Sequence, residues 1–252
     1  MLYSARTDIG RRRSSNQDSF STLDINENLT FLLVCDGMGG ANGGEEASRI
    51  ACEAATSSIR RDLDMVLGDK TLDADKYIPK VLTYAAREAN LAVYDRAQDD
   101  TSLYGMGTTF VGAVIYGSKL YAVNVGDSRL YVVTATDATQ ITRDHSYVQY
   151  LVDLGVMTTS QAETSSKKNI ITRAIGTDEA VDPDTYTVAL DGDSYILLCS
   201  DGLSNMVDRA EIARIVRGDG SLEEKTARLV TAANDGGGLD NITVILARPG
   251  QE

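Results

Sequence analysis

The sequence predicts an α+β fold in four layers, α-β-β-α, with two antiparallel β-sheets packed face to face and helices on the outer faces. Three observations predict it. Apolar runs of strand length crowd the middle of the chain, punctuated by glycine-containing turns. Two long stretches with apolar residues three and four apart stand just before that crowd. The order is strands, two helices, a block of strands, then helices and a closing strand, which is not the strict alternation of a doubly wound parallel sheet.

Taken in order, Tyr3, Ala5 and Thr7 alternate with Ser4, Arg6 and Asp8, an edge-strand pattern. Leu29 to Cys35 is a continuous apolar run ending at Asp36, as in a strand buried on both faces. Gly39, Gly40, Gly43 and Gly44 then break it. The first helical stripe is Ala47, Ile50, Ala51, Ala54, Ile59, Leu63 and Val66. It opens on Glu45 and Glu46, which suit the positive end of a helix, and stops at Gly68. The second is Ile78, Val81, Leu82, Ala85, Ala89, Ala92 and Val93, opening near Pro79 and running to about Asp99. The two are expected to form an antiparallel pair on a sheet.

Strand runs follow at 109–116, 119–125 and 129–133, with turns at Gly117-Ser118 and Gly126-Asp127, which predict a meander of hairpins. Residues 144–168 are polar, with short helices expected at 147–154 and 160–163. Strands resume at 185–190 and 194–199, helices at 209–216 and 222–234, and a last strand at 241–247. No internal repeat or linker divides the chain, so one domain is expected across residues 1–252.

Composition excludes several functions. A net charge of −13 argues against a nucleic-acid partner, which needs a basic face. No stretch approaches the roughly 20 apolar residues of a membrane helix. Met1 to Gly10 is polar and alternating, unlike a signal peptide. Cys35, Cys52 and Cys199 lie in apolar settings without zinc spacing, so free thiols in a reducing cytoplasm are expected. His145 is the only histidine, which leaves no basis for a Ser-His-Asp triad or a histidine-rich zinc site.

The chemistry is carried by short acid-glycine segments: Asp36-Gly37-Met38-Gly39-Gly40, Gly126-Asp127-Ser128-Arg129, Ser200-Asp201-Gly202 and Asp240-Asn241, with Asn16-Gln17-Asp18 near the start. Each of the first four adjoins an apolar run. Taken singly, a strand-end Asp-Gly is an ordinary turn. Together, carboxylates delivered by rigid strands make a site for hard cations. Two carboxylates about 4 Å apart repel by roughly 4 kcal/mol at an effective dielectric of 20, so such a cluster protonates, splays or binds cations.

These segments stand in one order with Thr7-Asp8-Ile9-Gly10, Arg13, Gly107-Thr108-Thr109, Asp144-His145-Ser146, Thr172-Arg173-Ala174-Ile175-Gly176 and Asp240-Asn241-Ile242-Thr243. In that order the chain resembles a bacterial member of the PPM (PP2C-like) family of metal-dependent serine/threonine protein phosphatases, from about Thr7 to Ala247. The resemblance implies Mn²⁺ or Mg²⁺, two ions in the core site with a third, weaker one beside it. Asp36 would bridge the two, Gly37 would lend its carbonyl, and Asp201 and Asp240 would complete the first. Asp127 would join Asp201 at the third. Asp18 and Asn241 would support the site from behind, Asp18 by holding metal-bound water. Arg13 would clamp the phosphate, and the nucleophile would be a water or hydroxide bridging the two ions, with no phospho-enzyme.

Two features depart from the pattern. Met38 stands where many animal relatives carry a histidine assigned to general-acid work, so water is left to protonate the leaving group. Ser165-Ser166 replace a common His-Pro pair. Residues 146–166 are read as a substrate-facing flap, His145 and Arg173 as structural. The resemblance implies a monomeric, cytoplasmic phosphatase acting on phosphoproteins, a cognate serine/threonine kinase among them, and away from nucleic acid and membranes. The alternatives are a catalytically dead, phosphoprotein-binding member and a two-metal hydrolase of another fold acting on small phosphoesters.

Overall fold

The computed structural model describes residues 1–27, 29–68 and 71–249. Asn28, Asp69, Lys70 and residues 250–252, over which the expected single domain also runs, lie outside the described residues. The strands are β1 (Leu2–Asp8), β2 (Asp18–Asn26), β3 (Leu29–Met38), β4 (Gly107–Thr108), β5 (Phe110–Tyr116), β6 (Lys119–Val125), β7 (Arg129–Val133), β8 (Ala138–Gln140), β9 (Asp184–Ala189), β10 (Tyr195–Cys199) and β11 (Ile242–Arg248). The α-helices are α1 (Gly40–Gly68), α2 (Ala74–Asp99), α3 (Tyr147–Asp153), α4 (Thr159–Glu163), α5 (Asp201–Ser204), α6 (Arg209–Arg217) and α7 (Leu222–Asp235).

One sheet runs β1-β11-β10-β7-β8 and the other β2-β3-β5-β6-β9, with β4 paired to the end of β3. Every described pairing of named strands is antiparallel. Three apolar clusters separate four layers. Leu32, Val34, Val111, Ala113, Leu130, Ile196, Leu198 and Ile245 fill the space between the sheets. Leu29, Phe31, Leu33 and Phe110 of the second sheet meet Ala51, Ile59, Leu63, Leu82 and Val93 of α1 and α2. Leu197, Val244 and Leu246 of the first sheet meet Ile212, Val216, Leu229 and Val230 of α6 and α7. Strands whose two faces both meet apolar layers read as continuous apolar runs, which is why Leu29–Cys35 does. Arg61 pairs with Glu88 and Arg96 with Glu46, so α1 and α2 run antiparallel.

Four expectations are corrected. Of the glycines after β3 only Gly39 precedes the helix: α1 starts at Gly40 and takes in Gly43 and Gly44, well ahead of Glu45. Gly44 there packs on the strand so closely that a Cβ on Gly37 would lie 2.0 Å from the Gly44 carbonyl oxygen. Tertiary packing thus outweighs glycine's poor helix propensity. Helix α2 starts at Ala74, capped by Asp73, and Pro79 lies inside it. The hairpin meander ends at β6: β7 belongs to the other sheet, so Gly126-Asp127 is a crossover between sheets. Asp36 does not close β3, which continues to Met38 by pairing Gly37 with Thr108. No described helix is long and apolar enough to cross a membrane.

Candidate metal centre

Sheet register brings the acids to one end of the sandwich. Asp18 and Asp36 are directly opposed in the β2–β3 pair, so their side chains share a face. Cys199 pairs with Val244, and Ser200 donates its amide to Thr243, which sets Asp201 beside the residues just ahead of β11, Asp240 and Asn241. Asp127 follows β6 on the crossover. Arg13, Asp36, Gly37, Asp127, Asp201 and Asp240 all line one cleft of about 700 Å³. Asp18 lies behind it, 8% exposed.

Their charges are mutually unfavourable. Burial, then Asp18, Asp201, Asp127 and Asp240, push the Asp36 carboxyl well above the usual carboxylate range. Burial and then Asp201 raise Asp127 to about 8. Burial raises Asp18 to about 7, against the lowering influence of Thr243 and Ser200 beside it. Asp201 rises to about 6, again by burial first and Asp240 second. Removing water penalises the charged form, and neighbouring charge of the same sign adds to the penalty.

Among the described residues, no three acidic, histidine or cysteine side chains are closed into a ready ligand set. Like charges at this range repel, and Asp240 is engaged elsewhere: its Oδ2 accepts from Arg13 at 2.6 Å and its Oδ1 from the Asn241 amide at 2.8 Å. Two acid oxygens, Asp18 Oδ1 and Asp201 Oδ1, are buried with no hydrogen-bond partner. Buried anionic oxygens lacking donors suit a hard divalent cation, whose ligands are carboxylate and carbonyl oxygens. The residues present therefore fit Mg²⁺ or Mn²⁺.

The surroundings hold these groups in place. The Asp36 amide donates to Thr109 Oγ1 at 2.9 Å, and that hydroxyl pairs with Ser128 Oγ at 2.7 Å. Ser200 Oγ donates to Asp18 Oδ2 at 2.8 Å. Asn205 Nδ2 donates to Asp201 Oδ2 at 2.9 Å. Asn241, beside Asp240, fastens the neighbouring loop. Its Oδ1 accepts from Gln17 N at 2.8 Å, and its Nδ2 donates to Ile9 O and Ser15 O, both at 3.0 Å. Its amide is thus taken up in fastening the loop that carries Arg13.

The expected flap contains α3 and α4, and its base is closed by the Ser146–Ile171 bridge. Together with Asp127 and Asp201 it borders a second cleft of about 610 Å³. Sequence reasoning missed Gln17, Asn169, Ile171, Thr172 and Thr177 on the wall of the acidic cleft, and Arg173, read as structural, lies there too. The motif around Thr172-Arg173 and the segment Asn16-Gln17-Asp18 offered the signals for them. Ser200, just ahead of Asp201, was the other legible clue.

A family model described as "Protein phosphatase 2C" matches residues 9–238. Protein phosphatase PhpP of Streptococcus pneumoniae is 37% identical over 253 residues, covering 100% of this chain and 99% of that protein. The crystal structure of serine/threonine phosphatase Stp1 from Staphylococcus aureus superimposes with a TM-score of 0.90 at 34% identity, covering 99% of this chain and 95% of that one. The serine/threonine phosphatase PstP/Ppp of Mycobacterium tuberculosis gives 0.86 at 33% identity, covering 99% of each chain.

Proposed function

This chain belongs to the protein phosphatase 2C family, and on that premise we propose that it hydrolyses phosphoserine and phosphothreonine on proteins at the cleft lined by Asp36, Asp127, Asp201 and Asp240. It is a metal-dependent protein serine/threonine phosphatase. Residues 1–252 form one catalytic domain, with residues 146–166 as its flap.

Asp36, Asp201, Asp240 and the Gly37 carbonyl would hold two Mn²⁺ or Mg²⁺ ions, and Asp127 with Asp201 a third, weaker one. When bound, such ions supply a water of lowered pKa as nucleophile and neutralise charge on the phosphoryl oxygens. Asp18 accepts a hydrogen bond from Ser200 and keeps its other oxygen free for a water at the site. Arg13 clamps two phosphoryl oxygens through its guanidinium fork and holds the phosphorus in line for attack. Its present partner, Asp240, is a carboxylate, an oxygen pair of the kind a phosphoryl group offers. Met38 lines the cleft and has no proton to donate, so water protonates the departing serine or threonine oxygen.

What supports this reading is the convergence of a guanidinium and four acids on one cleft, with two buried acid oxygens lacking partners. The substrates are phosphoproteins, a cognate kinase among them, met by a monomer in the cytoplasm. The test is hydrolysis of p-nitrophenyl phosphate and a phosphothreonine peptide with Mn²⁺, with and without excess EDTA. Turnover of both that EDTA abolishes is expected. Full activity in EDTA would remove the mechanism, and no activity with Mn²⁺ would favour a phosphoprotein-binding role.

A further inference from the structure

His145, the sole imidazole, is 6% exposed and holds Gly126 by both its N–H and its C=O, one group from each of the two peptides that flank that residue. Its Nδ1 accepts from the Gly126 amide at 3.2 Å, and its own amide donates to the Gly126 carbonyl at 2.9 Å. A backbone N–H can only donate, so Nδ1 is the unprotonated nitrogen and Nε2 carries the proton. Nε2 accordingly donates to Asp184 Oδ2 at 3.1 Å. Arg173 donates to the other Asp184 oxygen at 2.9 Å. The His145 carbonyl also accepts from the Thr172 amide at 2.8 Å, across the base of the flap.

Gly126 sits at φ +108°, a backbone few other residues adopt, and a Cβ there would lie 2.7 Å from Thr109 Cγ2. The next residue is Asp127, whose carboxylate faces the cleft. The flanking residues repeat the grip. Asp144 binds Arg129, two residues past Asp127, with Arg129 Nη2 to Oδ2 at 2.7 Å and Nε to Oδ1 at 3.0 Å. Ser146 caps α3, accepting from Gln149 N at 3.3 Å. Three consecutive residues thus anchor the near side of the Asp127 turn, its far side and the start of the flap.

We propose that His145 is a positioning residue that fixes the Asp127 carboxylate through the backbone of Gly126 and ties it to the base of the flap. It touches neither substrate nor the reacting atoms. The proposal rests on Asp127 being a member of the site.

The test compares His145→Gln, His145→Asn and Asp127→Ala. An asparagine amide oxygen overlays Nδ1 and can accept from Gly126; a glutamine amide reaches Asp184 instead. His145→Gln is expected to lower kcat on a phosphopeptide about 10–100-fold, the range for losing a partner that orients a site ligand, with KM little changed. It should also weaken one Mn²⁺ binding event in calorimetry while the others persist, and His145→Asn should recover most of both losses. In the wild-type protein, a through-hydrogen-bond ¹⁵N–¹⁵N coupling between Gly126 and His145 Nδ1 is expected. Absence of that coupling overturns the assignment whether or not the variants fold. So does normal kcat in His145→Gln, or equal losses in both His145 variants that track their melting temperatures. Asp127→Ala with full turnover overturns instead the reading of Asp127, and leaves the coupling to report on the contact alone.

Discussion

Arg13 donates from Nη2 to Asp240 Oδ2 at 2.6 Å, with the guanidinium half exposed at the mouth of the cleft. Asp240 is the largest influence on Arg13 and holds its pKa above the ordinary arginine value. One residue assigned to phosphate thus neutralises one assigned to metal. On those assignments the pair would link the two jobs of the site, because a cation on Asp240 and a phosphoryl group on Arg13 would each loosen the Arg13–Asp240 bond.

Arg13→Ala should therefore separate those jobs. A charge-assisted hydrogen bond contributes about 1.5–3 kcal/mol, so kcat/KM for a phosphopeptide should fall by about one to two orders of magnitude. Mn²⁺ affinity should hold or tighten, since a competing cation has gone. Calorimetry with Mn²⁺ checks this, and collapse of metal binding would contradict the assignment of Arg13 to phosphate.

Asp127→Ala removes a buried carboxyl whose pKa burial, and then Asp201, raise to about 8. The variant should fold, keep two tight Mn²⁺ sites and lose turnover by about 10–100-fold, as for other losses in a metal's surroundings. Unchanged kcat at high Mn²⁺ would remove Asp127 from the mechanism.

Gly37→Ala tests close approach at the site strand. The new Cβ would lie 2.0 Å from Gly44 O and 2.6 Å from Gln17 O, both backbone. Overpacking of this kind costs about 1–3 kcal/mol, so thermal unfolding should shift down. Mn²⁺ binding should weaken as well, because the end of β3 must move away from α1.

The acids predict an unusual pH dependence. Asp18 near 7, Asp127 near 8 and Asp201 near 6 all lie above the ordinary aspartate value near 3.8. The folded state therefore binds more protons than the unfolded one between about pH 4 and 8. Their contribution is fully present below the unfolded value and is lost as pH rises through the folded ones. The metal-free protein should melt at a lower temperature at pH 8 than at pH 5.5. Mn²⁺ should raise the melting temperature more at pH 8, where fewer protons must leave. Differential scanning calorimetry across that range, with and without Mn²⁺, measures both; a metal-free melting temperature that climbs with pH would contradict the clustering.

Much of this was legible because the strands of the inner layers are apolar throughout. Leu29–Cys35 and Tyr195–Cys199 meet packed layers on both faces and read as strands directly. Strand β2 did not. The first half of its face toward α1 is made of hydroxyls, Ser19 pairing with Ser48 at 3.0 Å and Ser21 with Thr56 at 2.8 Å, and only Leu23 and Ile25 further along are apolar. Hydrogen bonds replace apolar contact in that first half, which leaves too few apolar residues for a period. Strand β8, three residues long, is too short for one. The crossing of β7 to the other sheet was hidden for another reason, since Gly126-Asp127 carries the same residues as a hairpin turn. The acidic site was legible through its ordered motifs. Asn241's fastening of the Arg13 loop was not, because it depends on backbone groups at Ile9, Ser15 and Gln17, which no side-chain pattern reveals.

The most direct measurement is a crystal grown with millimolar Mn²⁺, with anomalous differences collected at the manganese edge. Peaks within ligating distance of Asp36, Asp201 and Asp240, with a weaker one beside Asp127, are the expected result. A well-ordered cleft without anomalous density at those carboxylates, in a preparation that turns over phosphopeptide, would contradict the account.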